Sequence, residues 1–489
     1  MLQAAKLPSD TPMTLPKNVQ TETSLNYMKI KHSTRREFLG GMTKVMLAST
    51  VAPLFLPSRL FGQDVPSNKL NLAIVGAGRV VHSHLPVILR PDGANIVALC
   101  DVNLKQINAK RGEFKEGLAK SKTYQDYRKL LEDAHSYDAV LIATGCRWHV
   151  PLCKAFIKAG KHVYCEKPLA RLVSEARDIR EVVRNSNVVT QLGTQGTNSP
   201  AFRRSVEVIQ AGLLGSISEV HLWFKGGGPR EPSHGLLEGE DPVPDYLNWD
   251  GWLGPAPYRP FKDKSYLGSC SQWYVWYDFS SALMNDFGQH NFMMPVRALD
   301  LDPPIKVAAE GSEPSKETAP STLKIRYDFA AKGARAPLAL YWYECGLIPP
   351  MDLYDALPYK DPSNGCLFVG DKGQLLADGW GRGGVMRLKG EQRWRSVLDH
   401  DSAKNLPETE PRAPKGGTHF GEFAAACKGE GKTYTTLEHG AKASEVLLPG
   451  IVSTRLGMPI KWDGAAMKVP GHPEADRFIH ANYRTKWLV

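Results

Sequence analysis

The feature that most constrains the fold is a regular alternation of short apolar runs with longer amphipathic ones in the first half of the chain. Buried-strand patterns at 69–75, 96–99, 139–143, 161–165 and 188–192 alternate with helical patterns at 80–90, 124–134, 151–159 and 173–185. Strands that alternate with helices of this length form a parallel, doubly wound sheet. Such sheets bind ligands at the carboxyl ends of their strands. The sequence therefore predicts an α/β fold with a binding crevice at that edge.

A glycine-rich turn follows the first strand directly. It contains Gly76, Gly78, Arg79 and Val80. The first glycine permits a tight turn, the second lets the backbone approach a diphosphate, and the next helix supplies N–H donors at its N-terminus. Asp101 ends the second strand 25 positions after Gly76, at the spacing of an acid that binds an adenine ribose. Together they predict a Rossmann dinucleotide-binding unit.

The nature of the dinucleotide follows from two opposing side chains. Asp101 favours NAD, because a carboxylate would repel the 2′-phosphate of NADP. Arg79 is the counter-argument, since a nearby guanidinium could hold that phosphate. We expect NAD, with NADP possible.

Two later strand ends reach the same crevice. Thr144 and His149 follow one of them, and Glu166 and Lys167 follow the other. Pro168 cannot donate to a strand ladder, so the strand must stop at this acid and base. A lysine in this position is suited to proton transfer, although a charged pair that closes a strand is also common on solvated surfaces.

The order of these motifs resembles the Gfo/Idh/MocA oxidoreductase family. The similarity continues through 191–195 and 202–206, and residues 248–257 look like the exported branch of that family. It implies a Rossmann domain at 67–192 and, at 193–465, an α/β domain with a large, mostly antiparallel open sheet, followed by a tail at 466–489. It also implies a bound nicotinamide cofactor, a sugar, polyol or related substrate, and a homodimer or homotetramer.

The family's catalytic lysine matches Lys167, and its Asp-x-x-x-His pair matches Asp286 and His290. Residues four apart on a helix share a face, so both side chains can project into one pocket. A histidine suits removal of a hydroxyl proton, and a nearby carboxylate would orient the imidazole. Partial burial is expected to disfavour the charge of Lys167, which could polarise the developing carbonyl or relay the proton.

The remaining predicted site residues divide into two groups. The predicted cofactor contacts are Gly76, Gly78, Arg79, Val80, Asp101, Thr144, His149, Glu166, Lys167 and Gln195. The predicted substrate contacts are Trp252, Trp273, Tyr277 and His419. Aromatic faces stack on the apolar faces of sugar rings. The aromatic residues could equally pack beneath the long connection at 226–272, and His419 could cap a helix or lie at the surface.

Two stretches depart from the family pattern. The chain has Thr144-Gly145-Cys146 where the family commonly has Thr-Pro-Asn or Thr-Pro-Asp. It has Phe279-Ser280-Ser281-Ala282 where the family often has three glycines. Both stretches flank the expected positions of the nicotinamide and the substrate. The resemblance therefore predicts the reaction type better than it predicts the identity of the substrate or the orientation of the cofactor.

The N-terminal stretch has the form of an export signal. Residues 34–40 resemble a twin-arginine motif, and an apolar run at 45–56 follows that is short and interrupted by prolines. We expect residues 1–66 to be a signal peptide and linker, the protein to be periplasmic, and no membrane span to remain after signal removal. The twin-arginine route exports folded proteins, often with cofactor already bound.

Composition excludes several other functions. The net charge is +10, half of which lies in the first 62 residues, and no basic stripe is interleaved with aromatic residues. Nucleic-acid binding is therefore not expected. The eight cysteines include no Cys-x-x-Cys pair, so neither a zinc site nor a redox pair is expected.

Three functions are consistent with these patterns. The first is a periplasmic oxidoreductase that transfers a hydride between a sugar or polyol carbinol and a tightly bound NAD(P). The second is a redox-neutral glycosidase that oxidises a ring carbon, eliminates the glycoside and returns the hydride to its resident NAD. The third is a non-catalytic sugar-binding protein, against which the combination of Lys167, Asp286 and His290 argues.

Overall fold

The computed structural model describes residues 69–226, 238–263, 265–268, 270–313, 315–355, 357, 363–413 and 417–489. The predicted export signal and linker at 1–66 lie outside the described residues. Within the described ranges, no helix is long and apolar enough to cross a membrane.

Six parallel strands form the first sheet. They are β1 (Leu70–Val75), β2 (Ala94–Cys100), β3 (Lys122–Tyr124), β4 (Ala139–Ile142), β5 (His162–Glu166) and β6 (Thr190–Gly193). Their spatial order is β3-β2-β1-β4-β5-β6, and each neighbouring pair is parallel. The winding therefore reverses between β1 and β4, which is where a doubly wound sheet opens its crevice. The predicted Rossmann fold is confirmed.

Helices connect these strands. They are α1 (Arg79–Ile88), α2 (Leu104–Glu113), α3 (Lys115–Leu118), α4 (Tyr127–Glu132), α5 (Cys146–Lys158) and α6 (Val173–Arg184). Two bounds differ from the prediction. Tyr124 ends an edge strand, and α4 begins only after Asp126, whose side chain accepts a hydrogen bond from the Arg128 amide. Helix α5 begins at Cys146, five residues before Pro151, so this proline lies inside the helix and not at its first position.

Nine strands form the second sheet. They are β7 (Ile217–Phe224), β8 (Lys306–Gly311), β9 (Leu323–Phe329), β10 (Leu338–Glu344), β11 (Asn364–Gly370), β12 (Gly373–Ala377), β13 (Gly384–Leu388), β14 (Arg395–Ser396) and β15 (Ile460–Lys461). Their order is β14-β13-β12-β11-β7-β10-β9-β8-β15. The pair β7–β10 is parallel and the others given are antiparallel. This mixed, mostly antiparallel sheet confirms the predicted second architecture.

The helices of the second half hold the two sheets together. They are α7 (Pro200–Gln210), α8 (Trp249–Leu253), α9 (Cys270–Trp273), α10 (Ala282–Ala298), α11 (His419–Cys427), α12 (Leu437–Leu447), α13 (Pro449–Leu456) and α14 (Asp476–Ile479). Helix α12 packs on both α6 and α10. One apolar core runs through both sheets, including Val140 of β4 and Leu340 of β10. This packing brings α10 to the strand ends of the first sheet.

Candidate active site

A cavity of about 230 Å³ follows the carboxyl edge of the first sheet. Residues after β1, β2 and β4 line it, as the strand order requires. Six of the predicted cofactor contacts are among them: Gly76, Gly78, Arg79, Val80, Asp101 and Thr144. The cavity therefore lies where the sequence predicted the dinucleotide.

The glycine-rich turn has the geometry of a phosphate cradle. Gly76 has φ +92°, and a Cβ there would lie 2.5 Å from the carbonyl oxygen of Ala143. Gly78 precedes α1 with no side-chain cap, and no atom lies within 4 Å of its Cβ position. The first N–H groups of a helix have no intrahelical acceptors, so α1 presents free donors and a positive dipole end at this turn. These residues fit the diphosphate of a dinucleotide.

Asp101 lies next to this turn. Its two carboxylate oxygens accept hydrogen bonds from the amides of Ala77 at 2.6 Å and Asn103 at 2.7 Å. Burial raises the pKa of Asp101 to about 6, although both amide donors act to lower it. The carboxylate is thus mainly ionised at neutral pH, which suits acceptance from ribose hydroxyls.

The opposite wall of the cavity is aromatic. Trp252 and Trp273, predicted to contact substrate, line this cavity together with Tyr266 and Trp148. Lys167, Asp286 and His290 do not line it. The structure therefore places the two tryptophans in the wall of the cavity predicted to hold the dinucleotide, and their contact with substrate stays a prediction.

A segment at 481–487, here called the C-terminal strap, completes that wall. The strap begins where the Ala481 amide donates to Ser174 Oγ at 3.0 Å. Arg484 Nη1 then donates to Asp250 Oδ1 at 2.6 Å, and Trp487 Nε1 donates to Asp250 Oδ2 at 3.0 Å. The indole of Trp487 packs edge-on against Trp148 and lines the cavity. Sequence reasoning assigned no role to this tail.

The three predicted catalytic residues come together in a second place. Lys167 Nζ donates to Asp286 Oδ1 at 2.8 Å, across 119 positions of sequence. The two side chains are 16% and 6% exposed, respectively, so the ion pair is largely withdrawn from water. The sequence predicted that partial burial would disfavour the charge of Lys167, and the structure adds a carboxylate partner, an interaction that favours the charged form. Asp286 thus binds Lys167, and no hydrogen bond joins it to His290 among the described residues.

His290 lies one helical turn beyond Asp286 and is 4% exposed. Neither ring nitrogen has a hydrogen-bond partner in the part of the chain that the structure describes. Burial, followed by the positive charge of Lys167 and then that of Arg382, lowers the pKa of His290 well below its ordinary value. The imidazole is therefore neutral at physiological pH. A buried ring with two unsatisfied nitrogens is an expected position for a polar ligand group.

Four other predicted residues belong to a buried polar network behind the site. Glu166 Oε1 accepts from Gln195 Nε2 at 2.8 Å and lies 2.6 Å from His84 Nε2. His419 Nδ1 lies 3.0 Å from the Tyr164 hydroxyl, and burial lowers the pKa of His419 to about 3. The ring nitrogens of His149 lie within 3.1 Å of the carbonyl oxygens of Pro168 and Thr144. Gln195 Nε2 also donates to the Tyr164 hydroxyl at 3.3 Å. None of these four predicted residues lines the dinucleotide cavity.

Tyr277 also lies away from the cavity. It is 3% exposed, and its ring packs against the guanidinium of Arg455 at 4.3 Å. Burial raises its pKa far above the ordinary value. The structure therefore places Tyr277 in the core, in the packing role that the sequence had left open for these aromatic residues.

Sequence reasoning missed an aromatic residue that contacts the presumed base. Trp380 lies in the loop between β12 and β13, with its ring centroid 4.6 Å from that of His290. Arg382 lies over the same indole at 5.6 Å. A tryptophan flanked by Gly379 and Gly381 in a hairpin loop was the available signal, because such a loop presents its side chain to a neighbouring element.

Comparison with known proteins identifies the chain. The family model for the oxidoreductase family with NAD-binding Rossmann fold matches residues 70–194, and the model for its C-terminal α/β domain matches 234–338. The myo-inositol 2-dehydrogenase of Thermotoga maritima is 30% identical over 146 residues, which are 30% of this chain and 42% of that protein. The chain thus spans less than half the length of this curated relative.

Two solved structures are similar over most of their length. The inositol dehydrogenase homologue of Azotobacter vinelandii, complexed with NADH and myo-inositol, has a TM-score of 0.56 and 18% identity and covers 81% of this chain and 98% of its own. The WlbA dehydrogenase of Bordetella pertussis, in complex with NADH and UDP-GlcNAcA, has a TM-score of 0.55 and 15% identity, with coverage of 81% and 98%. At these identities the similarity establishes the fold.

The first sheet with its glycine turn and the mixed second sheet correspond to the two domains that these family models describe, a Rossmann domain and a C-terminal α/β domain. The chain belongs to the Gfo/Idh/MocA oxidoreductase family, as the matches to both of its domain models establish.

Proposed function

We propose that this protein oxidises a carbinol of a sugar or polyol, with bound NAD as the hydride acceptor. The observation that carries the proposal is the arrangement around α10. Lys167, which follows β5, forms a buried ion pair with Asp286 of that helix, one turn before the neutral imidazole of His290, which has no hydrogen-bond partner among the described residues. A charged donor and an uncharged base are the two groups that dehydrogenation of an alcohol requires.

Each protein group has a defined task in this reaction. The neutral imidazole of His290 accepts the hydroxyl proton as the carbinol is oxidised, because its low pKa keeps it unprotonated at neutral pH. The Lys167 ammonium stabilises the negative charge that develops on the same oxygen. Asp286 fixes Lys167 Nζ in place through the 2.8 Å contact. NAD, held by the glycine turn and Asp101, supplies the hydride-accepting ring when bound.

The relatives support this substrate class. A similar curated protein is a myo-inositol 2-dehydrogenase, and a similar solved structure holds NADH and myo-inositol. Both names refer to polyhydroxylated rings. Trp380 beside His290 provides an aromatic face of the kind that stacks on such a ring.

The test is an assay of the purified protein with a panel of sugars, polyols and aryl glycosides. We expect reduction of added or bound NAD, seen as absorbance of the reduced nicotinamide, without release of an aglycone. Turnover of aryl glycosides with no net reduction would replace the proposal by the redox-neutral glycosidase. No change in either signal, with sugar binding intact, would favour a binding protein.

We further propose export by the twin-arginine route to the periplasm, on the strength of residues 34–40. Replacement of Arg35 and Arg36 by lysine should abolish export while the cytoplasmic protein still binds NAD. Periplasmic recovery of the double-lysine variant at the wild-type level would refute this localisation.

A homodimer or homotetramer formed through the second sheet remains our proposal for assembly. His221 and Tyr341 stack at 5.0 Å on β7 and β10, and Arg326 of β9 lies over the same tyrosine. A layer of aromatic and charged side chains of this kind suits a subunit interface. Light scattering of the eluted protein measures the mass, and a monomer would exclude the proposal.

A further inference from the structure

Arg147 is a buried cation without a counter-ion. It lies in the first turn of α5, is 3% exposed, and forms no ion pair with a carboxylate among the described residues. Its Nε donates to the carbonyl oxygens of Trp252 and Leu253 at 3.0 and 3.3 Å. The guanidinium also lies 3.9 Å from the centre of the Trp252 ring. One edge of the group is thus held by α8.

The other edge of the guanidinium is unsatisfied. Nη1 of Arg147 is buried and has no hydrogen-bond partner in the described structure. It lies against Gly145, where a Cβ would be only 2.5 Å away. Both Gly145 and Arg147 line the dinucleotide cavity. The glycine that replaces the family's usual proline therefore makes room for this guanidinium.

The energetic cost of this arrangement is high. A buried charge is stable only when it is paired or hydrogen-bonded, and removing an ion from water costs several kcal/mol even after relaxation. Burial lowers the pKa of Arg147 to about 9, so the group is still charged at neutral pH. Nearby Arg171 adds repulsion rather than compensation. Among the described residues, the protein thus supplies carbonyl dipoles and aromatic ring faces to this cation, but no carboxylate.

The missing negative charge has a natural source in the same cavity. The turn that contains Gly145 follows β4, and β4 is the direct neighbour of β1, whose glycine turn cradles phosphate. The contact between Gly76 and Ala143 places these two turns side by side. We propose that Arg147 donates from Nη1 to the diphosphate of the bound dinucleotide, so that the cofactor provides the counter-charge of this cation. The inference rests on NAD binding by the glycine turn.

The test compares ligands that differ only in phosphate. Binding of adenosine, ADP and NAD to wild-type protein and to Arg147→Met is measured by titration calorimetry. We expect about 10- to 100-fold weaker binding of ADP and NAD by the variant, the usual loss for a charge-assisted hydrogen bond, and unchanged binding of adenosine. Equal losses for all three ligands, or none, would overturn the inference.

A second measurement separates ligand binding from a structural role. Because Arg147→Met removes an uncompensated buried charge, the ligand-free variant should melt at or above the wild-type temperature, while the rise in melting temperature on adding NAD shrinks. A lower melting temperature of the ligand-free variant, with an undiminished rise on adding NAD, would show that Arg147 only ties α5 to α8 and would refute the proposal.

Gly145→Ala provides an independent variant that keeps the charge. The added Cβ collides with Nη1, so ADP affinity should fall while adenosine binding persists. Unchanged NAD affinity in both variants, with a raised KM for acidic sugars, would instead assign Arg147 to the substrate and overturn the proposal. Failure of the wild-type protein to bind ADP and NAD would be a separate result, against dinucleotide binding itself.

Discussion

Buried charged groups are compensated differently in two regions of the molecule. These regions are the dinucleotide cavity and the centre formed by Lys167, Asp286 and His290. In the centre, the cation is neutralised by a carboxylate at 2.8 Å and the base is kept uncharged by burial. In the cavity, Arg147 has no carboxylate partner among the described residues, and Asp101 has a raised pKa of about 6. In the centre, the protein itself provides the counter-charge of the buried cation. In the cofactor site, the counter-charge of Arg147 has to come from the ligand.

The largest expected effect tests whether the centre performs chemistry alone. Replacement of His290 by Asn should lower kcat by about 10²- to 10⁴-fold, because it removes the general base, and should leave NAD affinity unchanged. Steady-state kinetics and NAD titration measure the two quantities. His400→Asn is the matched control, since His400 is also buried but contacts Glu391 in the second sheet. If His290→Asn lost both activity and NAD binding, the claim that His290 acts in the chemical step and not in cofactor binding would be wrong.

The next effect tests whether Lys167 and Asp286 stabilise the folded protein through their contact with each other. Lys167→Met leaves Asp286 buried without its cation and should lower the free energy of unfolding by about 3–5 kcal/mol. The double variant Lys167→Met with Asp286→Asn should recover much of that stability but none of the activity. Urea unfolding and kinetics measure both. Additive losses of stability in the double variant would show that the two side chains do not depend on each other.

A smaller effect concerns the cavity. Trp487→Ala should weaken NAD binding about tenfold, because the indole forms part of the cavity wall and ties the C-terminal strap to Asp250. The variant should retain kcat at saturating NAD. Trp394→Ala is the control, as that tryptophan packs with Trp223 on the other side of the second sheet. Equal effects of the two substitutions would indicate general destabilisation.

The pH dependence provides a further comparison. Protonation of His290 should inactivate the enzyme only at pH values below the ordinary histidine pKa, since burial and Lys167 both lower its pKa. Removal of the cation in Lys167→Met should move the pKa of His290 upward, while burial, the larger cause, still holds it below the ordinary value. NMR titration of the imidazole measures this without activity. A downward shift would contradict the proximity of the two groups.

The smallest effect concerns the entry to α10. Ala282 has φ +63° where the family often has glycine, a conformation that costs a residue with a side chain about 1–2 kcal/mol. Ala282→Gly relieves this strain but loosens the unfolded chain, so a net gain of about 0.5–1 kcal/mol in unfolding free energy is expected. Calorimetry measures it. A loss of stability would show that the methyl group, which is 2% exposed, is needed for packing.

The sequence predicted the cavity better than the centre, for a physical reason. Gly76, Asp101 and Thr144 each follow a strand, so parallel pairing alone places them at one edge. Trp252 was predicted to contact the substrate because aromatic faces stack on sugars, but the sequence does not reveal that the helix carrying it covers the dinucleotide cavity. Trp380 and His290 meet across 90 positions, through the packing of a hairpin loop on α10.

The surroundings of several predicted site residues were not visible in the motifs, because a motif does not show which side chains become buried. His149 follows a strand end, as a ligand would, yet both ring nitrogens face backbone carbonyls inside the protein. His419 begins α11 but pairs with Tyr164 rather than substrate. Arg147 was overlooked, although Gly145 in place of the family's proline was a signal that something bulky lies beside it.

The C-terminal strap has a consequence for how the protein is made. One cavity wall needs Gly76 and another needs Trp487, which the ribosome adds 411 residues later. The first sheet can form during synthesis, but the wall of its cofactor cavity is incomplete until the C-terminal strap has been added. A chain cut just before Trp487, by a premature stop or a protease, would therefore keep the strands of both sheets and bind the coenzyme more weakly.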